Sequence, residues 1–520
     1  MKKLFLLMAF LPLMMSAQER IMVVADPHVF AVTLFDNGQA FTDMMESQRK
    51  MLDLSEATWK ETMDLVLAAK PDLLLIPGDL TKDGETDSHS VVQRDLQNLN
   101  EQGIKTLVIP GNHDLGGTAY TYFGDQKQVA TTISDSQWWT YYESVTNGLI
   151  AKDANSHSYA AEPLEGLTVL GIDGSHNNAG TGYLSPETLA WILAQADAAK
   201  AKGHMIIAMC HWQLMDHFDK QASLESSCQL KDAAAVRDSL IQHGVHAVLT
   251  GHFHVNGMTT YRNGTDSLVE ITTGSPITFP CPYRMLTVSK DRKDLSVNTG
   301  YITSLPGIED LYTYSRDWMA VHTHNMITVL APKVWSRVDE AKDKLSEAGI
   351  PEVAVEQIME CIPKTEEERI ALVDKHIGNT VVELYLLHSE ANEPDHKEAD
   401  SLAQALYKGM DNMIDEVLSA KPAVKIVFGG TMKVFAKSLA QEPVQSLVED
   451  KTQWSSTNPD RTDDLTLSLT IGDGYEPIEQ GCENIQSDKA QASKILRNGQ
   501  LYLLYNGRIY DVQGRRIGNW

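Results

Sequence analysis

His252 and His254 stand two residues apart, just after the apolar run Ala247-Val-Leu-Thr250 and a glycine, Gly251. The run reads as a buried strand and the glycine as the break that turns it into a loop. Residues two apart in extended backbone leave the same face, so both imidazoles point one way. Two imidazoles on one face at a strand end suit a first-row transition metal. The same grammar recurs upstream. Arg20 to Ala25 runs into Asp26-Pro27-His28, and Pro71 to Pro77 into Gly78-Asp79. Lys105 to Pro110 ends in Gly111-Asn112-His113-Asp114, and His204 to Cys210 ends in His211.

Three chemistries compete for this set. The residues could be unrelated polar groups at loop starts, but every one follows an apolar strand, in order, which chance rarely arranges. A single catalytic zinc takes three protein ligands and a water; Asp26, His28, Asp79, Asn112, His211, His252 and His254 are too many for it. A pair of cations about 3.5–4 Å apart uses them all, with one carboxylate shared, and would activate a water and clamp the oxygens of an in-line displacement at phosphorus. Mixed imidazole, carboxylate and amide donors suit manganese, iron or zinc.

The elements that must position these groups alternate between strand and helix, the pattern of a layered α/β fold. Apolar spacing (Met44, Met51, Leu54, Trp59, Met63, Val66, Leu67) predicts one helix over 43–70, and a second follows over roughly 88–101. Leu167 to Asp173 reads as a strand. Ser185-Pro186 opens a helix with a serine cap and proline at its first position, and another ends near 243. In such folds, ligands collect outside the carboxyl ends of the strands, where all the polar groups above fall. The aromatic-rich stretch 115–160 (Tyr120, Tyr122, Phe123, Trp138, Trp139, Tyr141, Tyr142) is expected to be core rather than cleft wall. From about Pro306 the spacing becomes helical to about 420, Asp464 to Ile471 alternates like a half-buried strand, and Asn506-Gly507 marks a hairpin turn.

Composition narrows the function. With 520 residues, 42% hydrophobic and 22% charged, the chain can bury several units' worth of core. Its net charge of −26, or −28 without Lys2 and Lys3, repels polyanions, so no nucleic-acid polymer is expected as a partner. A phosphate substrate must be drawn by a local cation, which a metal cluster supplies. Met1-Lys2-Lys3, the apolar Leu4 to Met15 and Ser16-Ala17 have the three parts of a secretory signal peptide, and no later segment is long enough to span a bilayer. The expected location is therefore exported: periplasm, cell surface or extracellular. Five scattered cysteines form no disulfide scaffold.

The pattern D-x-H, G-D, G-N-H-D, H, G-H-x-H over roughly residues 20–290 resembles the calcineurin-like metallophosphoesterase superfamily. Gly171-Ile-Asp173-Gly, Gly182-Tyr-Leu184 and Trp191 are similar to the branch containing bacterial class III cyclic-nucleotide phosphodiesterases. The resemblance implies a four-layer α/β/β/α sandwich with two divalent or mixed-valence transition metal ions (Mn, Fe or Zn) at one edge. By carry-over, Asp26, His28 and His254 would hold one metal, Asn112, His211 and His252 the other, and Asp79 would bridge. His113 would serve as general acid or stabilise the leaving oxygen, oriented by Asp114. Pro27, between the first two ligands, stiffens that turn. The loop from Trp212 to Leu230 lacks the His-His-Pro form that many relatives carry.

The block after 306 resembles, in layout only, the C-terminal helical domain of some exported or Gram-positive cyclic-nucleotide phosphodiesterases. The tail from about 495 is similar to short β-tails read by the type IX secretion machinery, a second expected partner besides a small phosphoester. The expected organisation is 1–17 signal peptide, 18–305 metallophosphoesterase domain, 306–458 helical domain and 459–520 β-rich tail. The expected activity is metal-dependent hydrolysis of phosphodiesters, cyclic nucleotides among them. A phosphomonoesterase or nucleotidase with the same site, and a metal-loaded scaffold without catalysis, are the alternatives.

Overall fold

The structure is a computed structural model. It describes residues 18–520 apart from 47, 176–180, 218–220, 222–227, 265, 326–344, 346–349, 392–395, 450–463, 473, 476–492, 498–499, 506–507, 511–515 and 520. The signal-peptide stretch 1–17 and much of the loop after Trp212 lie outside the described residues.

The strands, in chain order, are β1 (Glu19–Val23), β2 (Leu73–Pro77), β3 (Lys105–Ile109), a small hairpin β4 (Tyr120–Phe123) and β5 (Gln126–Val129), β6 (Leu149–Lys152), β7 (Tyr159–Leu164), β8 (Leu167–Ile172), β9 (Met205–Cys210), β10 (Ala247–Thr250), β11 (Gly257–Asn263), β12 (Asp266–Thr272), β13 (Pro282–Val288), β14 (Asp294–Tyr301) and β15 (Thr466–Thr470). They form a six-stranded sheet ordered β15-β14-β13-β1-β2-β3 and a seven-stranded sheet ordered β11-β12-β10-β9-β8-β7-β6. The strands that lead to the chemistry are parallel: β1, β2 and β3 in one sheet, and β8, β9, β10 and β12 in the other.

Side-chain parity explains the layering. Within β1, Ile21 and Val23 point inward and meet Val169, Ile207 and Leu249 of the facing sheet, while Met22 points outward. The outward face of the six-stranded sheet is covered by α2 (Ser55–Ala69) and α3 (Thr86–Glu101), through Trp59, Val66, Leu96 and Leu99. On the other sheet, Leu170, Ile206, Ala208 and Val248 are covered by α5 (Pro186–Ala201) and α6 (Ala233–Gln242). Helix, sheet, sheet, helix is the expected four-layer sandwich. Short helices α1 (Gln39–Glu46) and α4 (Trp138–Tyr142) complete this body. Trp138, Tyr142 and Tyr122 are buried, Tyr120, Trp139 and Tyr141 are half-buried, and Phe123 on the β4–β5 hairpin is exposed, so the aromatic stretch is core only in part. Ser185 caps α5 by accepting from the Thr188 N–H at 3.0 Å, ahead of Pro186.

The single helix expected over 43–70 is not formed. The chain leaves α1 at Glu46 and re-enters helix at Ser55, with a one-turn 3-10 element at Leu52–Leu54. Tertiary hydrogen bonds override the periodicity. The Met51 N–H donates to the Ile277 carbonyl at 2.9 Å, and the Ser55 hydroxyl both donates to the Leu52 carbonyl and accepts from the Phe30 N–H.

Beyond β14 the chain is helical: α7 (Leu311–Asn325), α8 (Glu352–Cys361), α9 (Glu366–Val373), α10 (Asn379–Glu390), α11 (His396–Val417) and α12 (Pro422–Glu449). Met319 of α7 and Val382 and Leu386 of α10 pack on Phe279, which seats the helices against the sandwich. The strand expected near 464–471 is β15, and it pairs with β14 of the body. Residues 18–475 lie in one compact unit. The other unit, from Glu476 on, contains an antiparallel four-stranded sheet ordered β16 (Ser493–Arg497), β17 (Gln500–Tyr505), β18 (Arg508–Tyr510) and β19 (Arg516–Asn519), with β17 and β18 flanking the expected turn. No helix among the described residues is long and apolar enough to cross a membrane.

Candidate metal centre

The candidate ligands all follow the carboxyl ends of β1, β2, β3, β9 and β10, and the structure brings them together in two clusters. Asp26, His28, Asp79 and His254 offer donor atoms within 4.8 Å of one another, and so do Asp79, His211 and His252. Asp79 belongs to both. Its Oδ2 lies 3.4 Å from His28 Nε2 and 3.4 Å from His211 Nε2. In the first cluster the Nε2 atoms of His28 and His254 face each other at 3.0 Å, and Asp26 Oδ1 stands 3.6 Å from His254 Nε2. In the second, His211 Nε2 is 3.0 Å from Asn112 Oδ1 and 3.2 Å from His252 Nδ1.

The backbone is shaped to hold these donors. Ten non-glycine residues in the described chain have positive φ, and five are candidate ligands: Asp26, His28, Asp79, His252 and His254. Each such conformation costs on the order of 1–3 kcal/mol, so this strain is concentrated at the site. The glycines before them make room. A Cβ on Gly111 would sit 2.2 Å from Asp79 Oδ1, and one on Gly251 2.3 Å from Asp26 Oδ2. The carboxylates also lock the loops to each other. Asp26 accepts the His252 N–H at 2.9 Å, and Asp79 Oδ1 accepts the His113 N–H at 2.9 Å, which leaves Oδ2 facing both clusters.

Protonation states follow from burial and neighbours. Burial, and then the charge of Lys50, hold His28 and His254 well below the usual histidine range; a neutral imidazole is the form that binds a metal. Burial works against the Asp79 carboxylate, but His211, His113 and His28 outweigh it and keep it well below the usual range. His211 donates from Nδ1 to the Pro77 carbonyl at 2.9 Å, which fixes the ring and turns Nε2 toward the cluster. The donor set, the shared oxygen and the fixed tautomer fit a pair of first-row transition ions.

His113 stands at the rim, its side chain 32% exposed where the His28, Asp26 and His211 side chains are closed to solvent. Its ring meets His28 edge-on with centroids 4.8 Å apart. The expectation that Asp114 orients it is corrected by the structure. The Asp114 carboxylate is turned inward and accepts the N–H groups of Leu80, Thr81 and Gly111 at 2.8–3.1 Å and the Thr81 hydroxyl at 3.0 Å. Asp114 therefore ties the loop after β2 to the loop after β3. Asp83 does the orienting, with its Oδ1 3.0 Å from His113 Nδ1, and Lys82 pairs with Asp83 in turn. The only sequence signal for Asp83 was its place four residues after Asp79.

Asp173 stays outside the clusters and accepts the N–H groups of His157 and Ser175. Gly182 gives its space to Trp212, whose ring a Cβ there would strike at 2.3 Å. Trp212 leans on His252 with centroids 4.1 Å apart, a wall that sequence reading did not anticipate.

This sandwich with paired ligand clusters sharing one carboxylate has the layout of a metallophosphoesterase. Residues 19–256 match the family model described as calcineurin-like phosphoesterase. A protein of Rhodococcus erythropolis described as a "probable cyclic nucleotide phosphodiesterase" is 24% identical over 221 residues, a match spanning 41% of this chain and 63% of that protein. Among solved structures, a dimetal phosphatase from Danio rerio aligns with a TM-score of 0.41 at 13% identity, covering 54% of this chain and 95% of that one. A purple acid phosphatase from yellow lupin aligns with a TM-score of 0.35 at 13% identity, covering 55% and 52%.

Proposed function

We propose that the protein is an exported two-metal phosphoesterase that hydrolyses phosphodiesters, with cyclic nucleotides as the first substrates to test. The observation that carries the hydrolytic reading is the single Asp79 oxygen placed 3.4 Å from a ring nitrogen in each cluster. Asp26, His28, Asp79 and His254 would hold one ion, and Asp79, Asn112, His211 and His252 the other. Bound there, the ions would supply an activated water and a clamp on the phosphoryl oxygens.

The chain's own part is to position and to move a proton. With Nδ1 of His113 engaged by Asp83, its Nε2 would be the atom that holds a proton beside a leaving alkoxide. Trp212 packs against His252 of the second cluster. The relative named above and the Asp173, Gly182 and Trp191 pattern favour a diester. Export is supported by the leader-like composition of residues 1–17.

The test is a hydrolysis panel on protein reconstituted with manganese, zinc or iron, comparing bis-(p-nitrophenyl) phosphate, p-nitrophenyl phosphate and cyclic nucleotides. Diester preference and loss of turnover on chelation are expected; monoester preference would replace the diester reading with a phosphatase. His113→Ala should retain both ions and slow substrates with poor leaving groups by about 10²–10⁴-fold. A fall in metal content in that variant would make His113 a ligand instead. N-terminal sequencing of secreted material should begin near Gln18.

A further inference from the structure

The loop His252-Phe253-His254 gives one imidazole to each ligand cluster, and both histidines hold positive φ, 63° and 60°. Such a backbone persists only where its surroundings fix it. The two histidines are fixed by different neighbours. His252 has supports inside the sandwich: its N–H donates to the Asp26 carboxylate at 2.9 Å, and the Trp212 ring lies 4.1 Å from its own. The His254 backbone has a longer tie, its carbonyl accepting the Thr278 hydroxyl at 3.5 Å. Phe253, between them, meets the helical region. Its half-buried ring packs edge-on against the buried His388 of α10, with centroids 5.5 Å apart.

The same helix grips the chain around that loop. Three residues before His388, Tyr385 carries the Arg49 guanidinium over its ring, 5.0 Å from the centroid, and accepts a hydrogen bond from it. Val382 and Leu386 pack on the fully buried Phe279, the residue after Thr278. Met319 of α7 joins them there, and α7 adds two hydrogen bonds of its own. The Trp318 indole N–H donates to the Gln48 carbonyl at 3.2 Å, and the Asn325 amide donates to the Glu46 carbonyl at 3.3 Å. The Met51 N–H in turn donates to the Ile277 carbonyl at 2.9 Å. Three separate stretches, 46–51, 277–279 and Phe253, therefore converge on one pair of helices.

We propose that α10 positions His254 for its ion: His388 seats Phe253, and the seat holds the strained loop in the conformation that presents the His254 imidazole. The helical region is then a working part of the metal centre, with His388 and Phe253 as positioning residues. Their loss loosens the ion of Asp26, His28 and His254 first, because His252 keeps Trp212 and Asp26. The proposal rests on the two-metal phosphoesterase reading for its ligand, but metal binding can be followed without turnover. Wild-type, Phe253→Ala, Phe253→Tyr, His388→Ala and His388→Phe proteins are titrated with manganese by calorimetry. Electron paramagnetic resonance then separates a spin-coupled ion pair from an isolated ion, and kcat and KM are measured on the two p-nitrophenyl esters at limiting and saturating manganese. The control is Glu383→Gln, on the exposed side of α10, where Glu383 pairs with Arg316 of α7 at 2.7 Å.

Phe253→Ala and His388→Ala should weaken one ion by about 10–100-fold and replace part of the coupled signal with that of an isolated ion. At limiting manganese they should lower kcat rather than raise KM, and saturating manganese should restore the rate. Phe253→Tyr and His388→Phe keep a ring and should stay close to wild type, as should Glu383→Gln. Wild-type affinity for both ions in His388→Ala overturns the proposal, and so does equal weakening of both ions in Phe253→Ala. If His388→Ala does not fold, the two Phe253 variants decide: equal affinity in Phe253→Ala and Phe253→Tyr removes the seat, and weaker binding in Phe253→Ala alone supports it. If wild type hydrolyses no ester yet binds two ions, one of them in a His388-dependent way, the phosphoesterase reading fails and the positioning role stands.

Discussion

The two halves of the metal centre are built by different means. Among the described residues, the half with Asn112, His211 and His252 is held by the sandwich: the Pro77 carbonyl fixes His211, Trp212 leans on His252, and Asp114 ties the supporting loops together. The half with Asp26, His28 and His254 borders chain that is distant in sequence. The Phe253 ring, between its two histidine neighbours, meets His388 of α10 at 5.5 Å, and the segment that carries Gln48 and Arg49 is braced by α7 and α10. Local geometry thus organises one half, and tertiary packing some 130 residues downstream furnishes the other. The difference suggests that the two ions can be perturbed separately from each other.

The strongest way to break this distinction is Asp79→Asn, which strikes the one side chain common to both halves. Turnover should vanish and bound metal should fall. Wild-type rates in that variant would remove the bridging role.

Gly78→Ala is aimed at the half held by the sandwich. Gly78 has φ of 97°, and an added Cβ would lie 2.5 Å from His211 Nδ1, so the ring must move. Metal stoichiometry should drop toward one ion, with activity down on the order of 10²-fold. Gly103→Ala is the control: φ is 85° there with nothing within 4 Å of the added carbon, so it should cost only about 1–2 kcal/mol of stability.

The smallest effect concerns the prop beneath that same half. His89, buried on α3, lies 3.0 Å from the Asp114 carbonyl and 2.5 Å from the Tyr142 hydroxyl, and burial pushes it down to about 4. Its folded value is below the unfolded value near 6.5, so above pH 6.5 the group is neutral in both states and contributes nothing. Below that pH the unfolded chain takes up a proton that the folded chain refuses, and stability falls until about pH 4. The loss from this group at pH 5 is about 2 kcal/mol. Urea titrations at pH 7 and pH 5 should show a flatter response in His89→Gln, and equal slopes would clear His89 of the effect.

Most of the ligand set was legible because it obeys a local rule: an apolar strand, a glycine where a Cβ cannot fit, then a donor. Asp79 and His252 announce themselves in this way, and the strand–helix alternation announces the layers. Asp83 was obscured by Asp114, which sits beside His113 in sequence but spends its oxygens on backbone N–H groups. The break in the helix before Ser55 gave no signal at all. Met44, Met51 and Leu54 read as one continuous helical face, and only the carbonyl of Ile277, more than 200 residues away, shows that the helix is broken there. Contacts of that range leave no period in the chain.

The placing of β15 has a consequence for how the molecule is made. Its partner β14 ends at Tyr301, so the whole helical region is looped out between two neighbouring strands of one sheet. The chain closes there like a clasp: the fully buried Arg284 donates to the Asp464 carbonyl at 2.7 Å, and the Met258 N–H donates to the Asp464 carboxylate. On the ribosome the sandwich must therefore wait, one sheet edge bare, until residue 470 has emerged. A fragment ending near residue 305 would keep that edge open permanently and invite strand pairing between copies.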